Sequence, residues 1–203
     1  MPKIKRRQLE LSILCGLLCA VLLCLSGFSA ACDGLRSGVL RLHIIANSDS
    51  DADQAVKLLV RDRILGETGA VFGGCDNLDD AICAAECDIE NITEYANNVL
   101  KENGFSYTAT AEVGESYFET RHYDTFSLPA GTYKSLIVRL GKSEGKNWWC
   151  VVFPAVCLPA ASDTDFSAAT DEKSAQIAEN PDRYVIRFKA VEIYEDIKRF
   201  FNS

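Results

Sequence analysis

From Leu11 to Phe28 the chain runs without a charge (LSILCGLLCAVLLCLSGF), after four basic residues, Lys3, Lys5, Arg6 and Arg7, and before the small residues Ser29, Ala30 and Ala31. That order is the pattern of an export signal. The apolar stretch is longer than the usual signal core of about 7–15 residues and reaches the minimum for spanning a bilayer. Two outcomes follow: cleavage after Ala31, or retention as a membrane anchor through residues 11–28 with the basic end cytoplasmic. Residues 1–31 are therefore expected to be signal peptide or anchor, and residues 32–203 a single extracytoplasmic domain.

Beyond this segment, Gly38 to Ala46 is apolar on both strand faces apart from Arg41 and His43, as in a central strand. Asn47, Ser48, Asp49 and Ser50 then supply helix-capping chemistry, with Ser50 as N-cap and Asp53 three residues on. A helix over Asp51–Leu65 follows, its apolar side formed by Ala52, Ala55, Val56, Leu59 and Val60. Leu78, Ile82, Ala85, Ile89, Ile92, Ala96 and Val99 recur in steps of four and three, which predicts a second helix over 78–103. Tyr107–Val113 alternates as a half-buried strand, and Gly114-Glu115 is expected to turn it into a hairpin with Ser116–Tyr123. Tyr133–Leu140 and Asn147–Phe153, joined by the polar stretch 141–146, read as another hairpin. Residues 158–182 read as a mobile loop with one helical turn, Tyr184–Ala190 as a last strand, and Val191, Tyr194, Ile197 and Phe201 as the face of a terminal helix. The order predicts an α+β fold, an antiparallel sheet with helices after the first strand, preceded by the export signal.

Composition agrees with a folded globular chain: 203 residues, 48% hydrophobic and 25% charged. The net charge is −8, and removing the +3 of the first ten residues leaves −11 on the rest. Nucleic acid is excluded as a partner, because binding to phosphate backbones needs clustered Lys and Arg. Of the nine cysteines, Cys15, Cys19 and Cys24 lie in the apolar segment, while Cys32, Cys75, Cys83, Cys87, Cys150 and Cys157 belong to the body. An even set in an exported domain suits disulfides, and Cys150 with Cys157, bracketing a short strand-to-turn passage, is the expected pair. No Cys-x-x-Cys occurs and the chain has only two histidines, His43 and His122, so neither a metal nor another cofactor is expected.

Candidate chemistry is sparse. Asp49, Asp51 and Asp53 have the opening spacing of a calcium loop, but Gln54 stands where the turn needs Gly and Val60 where a bidentate Glu should be. Helix capping accounts for those acids. No nucleophile elbow, His-Glu-x-x-His or cysteine-protease signature is present. Arg41 and His43 share one face of the first strand, either presented to a partner or paired within the sheet. Trp148 and Trp149, being adjacent in a strand, send their rings to opposite faces. Such rings serve either as core or as anchors of a protein interface.

Three segments together resemble the stage II sporulation protein R family: RLHIIANSDS from Arg41 to Ser50, continuing to Asp53, Gln54, Lys57, Arg61 and Asp62; LPAGTY from Leu128 to Tyr133; and GKNWWCVVFP from Gly145 to Pro154, continuing to Cys157. The resemblance implies a signalling protein rather than an enzyme. Such a protein is exported into the space between forespore and mother cell, where it activates a membrane-bound aspartic protease, stage II sporulation protein GA, which processes pro-sigma-E. The partner-binding surface is then expected at the strand-to-helix corner, Arg41, His43, Asn47, Asp49, Gln54, Lys57 and Arg61, with Trp148 or Trp149 as apolar anchor. A secreted cell-envelope hydrolase using His43 or His122 near the acids of residues 49–53 is the alternative. A third, an envelope lipoprotein, would require acylation at Cys32.

Overall fold

The apolar N-terminal segment is joined to the body by continuous helix. In the computed structural model, which describes residues 3–123, 126–154, 172–179 and 184–202, it belongs to one helix, α1, Lys3–Ser37. The helix passes without a break through Ala31 and Cys32 into the body. Its first part leaves Leu11, Ile13, Leu14, Leu17 and Leu18 exposed, whereas Phe28, Ala31, Cys32 and Leu35 are buried. Among the described residues no helix is long and apolar enough to cross a membrane.

The next strand, β1 (Leu40–Ile45), buries Leu40, Leu42 and Ile44 on one face and turns Arg41 and His43 to the other. It lies inside a four-stranded sheet of order β2-β5-β1-β6, where β2 is Ala109–Phe118, β5 Gly131–Leu140 and β6 Asn147–Phe153. β1 runs parallel to β5 and antiparallel to β6, and β2 is antiparallel to β5. The sheet is thus mixed, which corrects the antiparallel expectation while leaving the α+β class intact. Both expected hairpins are also corrected. β5 and β6 do not pair with each other, because β1 is inserted between them. Gly114 and Glu115 sit inside β2 opposite Ser135 and Lys134, held by the cross-strand ion pairs Glu115–Lys134 (3.0 Å) and Glu112–Arg139 (2.7 Å).

The Ser50 hydroxyl accepts from the Asp53 amide (3.2 Å) and starts α2, Asp51–Gly73. This helix continues past the expected end at Leu65, because Thr68 and Phe72 are buried in the core and outweigh the propensity cost of Gly66 and Gly69. The expected second helix is two, α3 (Leu78–Cys87) and α4 (Ile89–Glu102), interrupted at Asp88. Their apolar residues close one core with α2 and the first sheet face, including Val60, Ile64, Ala81, Ile92 and Leu136.

The opposite face carries a second core. The C-terminal part of α1 packs there with the two-stranded ladder β3 (Arg121–His122) and β4 (Ser127–Leu128), with α5 (Glu172–Glu179) and with α6 (Val185–Asn202). The segment expected as a last strand is therefore helical. Tyr184 and Phe188, four apart, satisfy both a period of two and a helical period, and both rings meet Phe28. Burial of Phe188, Val191 and Glu195 at steps of three and four decides for the helix. Of the expected 158–182 loop, α5 is described and the remainder, with Cys157, lies outside the described residues. The expected Cys150–Cys157 bond lies outside them for the same reason.

Candidate functional site

Most residues of the NSDS corner are engaged in building it. Asp53 is buried, and its carboxylate accepts from Asn47 Nδ2 (2.8 Å), Ser48 Oγ (2.5 Å) and Tyr107 Oη (2.5 Å). Burial pushes that carboxyl up, but the hydrogen bonds from Ser48, Tyr107, Asn47 and Ser50 outweigh it and hold the group below its usual range. The chain leaving β5 crosses the end of β1 at this corner on its way to β6. There the amides of Lys142 and Lys146 donate to Asn47 Oδ1 (3.0 Å) and Asp49 Oδ1 (2.7 Å), and the amides of Glu144 and Gly145 to the carbonyls of Asn47 and Ala46. Gln54 donates to the Ser48 carbonyl, and Lys57 Nζ to Gln54 Oε1 (2.7 Å) and the Lys146 carbonyl (2.9 Å). Asn47, Asp49, Gln54 and Lys57 thus clamp the crossover that lets β1 lie between β5 and β6.

Arg41 is fully buried, at 0% exposure. Its guanidinium lies 3.8 Å from the Phe118 ring centroid and 4.8 Å from that of Tyr133, and Nη2 donates to Tyr123 Oη (2.7 Å). Nε and Nη1 have no hydrogen-bond partner among the described residues. A buried donor left unpaired costs about 1–3 kcal/mol, so Arg41→Met, which keeps the aliphatic volume, is expected to match or exceed wild-type stability. Arg41→Ala, which leaves a void, is expected to cost about 2–4 kcal/mol. Urea unfolding of both variants checks this. A methionine variant markedly weaker than wild type would mean that the aromatic rings stabilise the cation by more than its unpaired groups cost.

His43 sits between Ser116 Oγ on Nδ1 and Asn147 Oδ1 on Nε2, each at 3.0 Å. Burial pushes its pKa down, against the raising effect of its hydrogen bond to Asn147 Oδ1. The expected approach of a histidine to the acids of residues 49–53 is not formed. His43 engages Ser116 and Asn147, while His122 meets Ser127 Oγ at 2.7 Å. Serine, histidine and asparagine do stand in hydrogen-bonding order, but neither described cavity is lined by Ser116 or His43.

The described cavity that gathers predicted residues is a groove of about 790 Å³ at the sheet edge, where β6 has β1 as its sheet partner. Trp148 packs toward the first core and Trp149 toward the second, as adjacent strand residues must. Each carries an arginine: Arg61 of α2 lies 4.5 Å from the Trp148 centroid, and Arg121 of β3 lies 4.0 Å from that of Trp149. Arg61 also pairs with Asp62 at 2.6 Å. Arg121 makes no ion pair among the described residues, and its Nε and both indole nitrogens are buried without a hydrogen-bond partner. Arg61, Trp148 and Trp149 are thus brought together, while Arg41 and His43 do not line the groove but stand behind it, Arg41 bonded to Tyr123 and His43 to Asn147. Arg121 and Tyr123 complete it, and the sequence reading missed both by placing them on the arm of a hairpin. The available signal was that Arg121 is the only Lys or Arg between Val113 and Lys134.

The family described as Stage II sporulation protein R matches residues 36–163, more than half of the chain. A curated relative, Stage II sporulation protein R of Bacillus subtilis (strain 168), is 29% identical over 136 residues, which are 67% of this chain and 61% of the relative. The chain therefore covers less than two thirds of the length of that relative. No solved structure matches.

Proposed function

Because the chain belongs to the stage II sporulation protein R family, and so has a role in sporulation, we propose that it is the exported ligand that activates the membrane-bound aspartic protease processing pro-sigma-E. On this reading the body lies between the forespore and mother-cell membranes and is held at the membrane through residues 11–28. The observation that supports it most is the continuity of α1. One helix carries an exposed apolar surface at Leu11, Leu14, Leu17 and Leu18, then buries Phe28, Cys32 and Leu35 in the body. An apolar surface of this kind calls for lipid or protein around it. Cys32 is fully buried within the helix, and burial pushes its thiol up to about 12.

Activation has a thermodynamic requirement. A ligand shifts its target toward the active arrangement only by binding that arrangement more tightly. A 100-fold active-state preference corresponds to about 2.7 kcal/mol. Co-expression in a non-sporulating host tests the reading. Processing of pro-sigma-E by the cognate protease is expected to appear only when this chain is exported, and processing that ignores the chain would overturn it.

The hydrolase is the second reading, favoured by the Ser116–His43–Asn147 chain of hydrogen bonds. It requires that His43→Ala abolish function while target binding persists. For a ligand, signalling by that variant falls only as far as binding does.

A further inference from the structure

The groove at the β6 edge has an unbalanced set of hydrogen-bonding groups. Arg121 Nε, Trp148 Nε1 and Trp149 Nε1 are buried donors without an acceptor among the described residues, in side chains that line the groove together with Arg61. A carboxylate in this setting accepts from guanidinium without leaving a donor of its own unpaired. Asp62 offsets Arg61 in part, but its side chain is 60% exposed, and an ion pair of that kind is worth only about 0–1 kcal/mol. On a protein of net charge −8, two arginines flanking one strand edge are a local reversal of sign.

The geometry also limits the shape of the occupant. The two Arg–Trp stacks stand on opposite faces of the sheet, on either side of β6. An extended chain alternates its side chains to opposite sides, so neighbouring residues of a strand laid beside β6 point one toward each stack. A helix presents one face and reaches only one of them.

We propose that this groove receives an extended acidic segment of the partner protein, with carboxylates on its alternate sides held by Arg61 and Arg121. This rests on the ligand reading above and assigns it a docking site. The two tryptophans of the chain both line the groove, so intrinsic indole fluorescence reports on this site alone.

The test titrates the full chain, in detergent micelles, with an acetylated peptide of Glu-Glu-Thr-Thr repeats, whose neighbouring carboxylates point to opposite sides of an extended chain, and with its Gln-Gln-Thr-Thr counterpart. A saturable change in tryptophan fluorescence is expected with the acidic peptide, at an affinity at least about tenfold above that of the neutral one. Arg121→Gln and Arg61→Gln are each expected to weaken it about tenfold with an unchanged circular dichroism spectrum, whereas Lys142→Gln, outside the groove, leaves it intact. Equal binding of the two peptides, no saturation below millimolar concentration, or indifference to both arginine variants would each overturn the docking site. The same variants in the processing assay separate the two readings. If wild type activates and Arg61→Gln/Arg121→Gln activates equally well, the docking site is wrong and the ligand reading stands. If wild type binds the peptide but provokes no processing, the ligand reading fails and the groove stands as an acidic-peptide site.

Discussion

Asp53→Ala is expected to lower the unfolding free energy by about 3–5 kcal/mol, because a hydrogen bond to a charged group contributes about 1.5–3 kcal/mol and three are lost together. The carboxylate gathers three donors from two parts of the chain: Asn47 and Ser48 in the corner, and Tyr107 at the entrance to β2. Without it, Tyr107 Oη, Ser48 Oγ and Asn47 Nδ2 lose a common acceptor, and because these donors are only half-buried, water satisfies them in part and holds the total to that range. Loss of Asn47 orientation also loosens the crossover, since Asn47 Oδ1 holds the Lys142 amide. Asp53→Asn keeps one acceptor oxygen and is expected to cost less. Urea unfolding of wild type and both variants measures the series, and an alanine variant within about 0.5 kcal/mol of wild type, the range of ordinary surface changes, would refute it.

The same residue sets an acid dependence. Its folded-state pKa lies below the ordinary value of 3.8, so its stabilising contribution is complete above that value. As pH falls through the folded pKa, the contribution is lost. Wild type is therefore expected to lose stability more steeply than Asp53→Asn below about pH 4, and parallel curves would show that Asp53 is not the group responsible.

Phe28→Ala is expected to cost about 3–5 kcal/mol, as for truncation of a buried aromatic ring. Phe28 is 3% exposed, although it closes the uncharged stretch of the N-terminal segment. Its ring stacks on Tyr184 with centroids 5.7 Å apart and meets the edge of Phe188 at 5.4 Å. Removing it takes from α6 its main attachment to α1, leaving the Arg36–Glu195 ion pair at 3.3 Å farther along. Hydrogen exchange is expected to show earlier opening of 185–202 than of β1, and equal protection would argue against this coupling.

Several features were legible in the residues because their causes are local. Ser50 followed by Asp53 announces the start of α2, since the capping bond closes within one turn. The adjacent tryptophans had to face opposite ways, and they do. The NSDS corner stood out as polar chemistry, although its hydrogen bonds show that Asn47, Asp49, Gln54 and Lys57 hold the β5–β6 crossover. Arg41 carried no sign of burial, because a charged residue in an apolar strand reads as surface until the rings of Phe118 and Tyr133 arrive from other strands. Gly114 read as a turn, because glycine marks either a turn or a strand interior and only pairing with Ser135 decides which.

What the sequence determined by itself is a set of periods and caps: the alternation of β1, where α2 starts, and that an uncharged stretch precedes an acidic body, although Ala52, Ala55 and Leu59, expected on the apolar side of α2, are exposed while Asp53 and Lys57 are buried. These periods and caps follow from backbone geometry and from contacts within a turn or two. Tertiary structure alone decided that β1 enters between β5 and β6, that 185–202 is helical, and that Arg61 and Arg121, 60 positions apart, flank one strand edge. The physical reason is that alternation specifies which face of a strand is buried but not which strand lies beside it. That choice belongs to the packing of the whole chain.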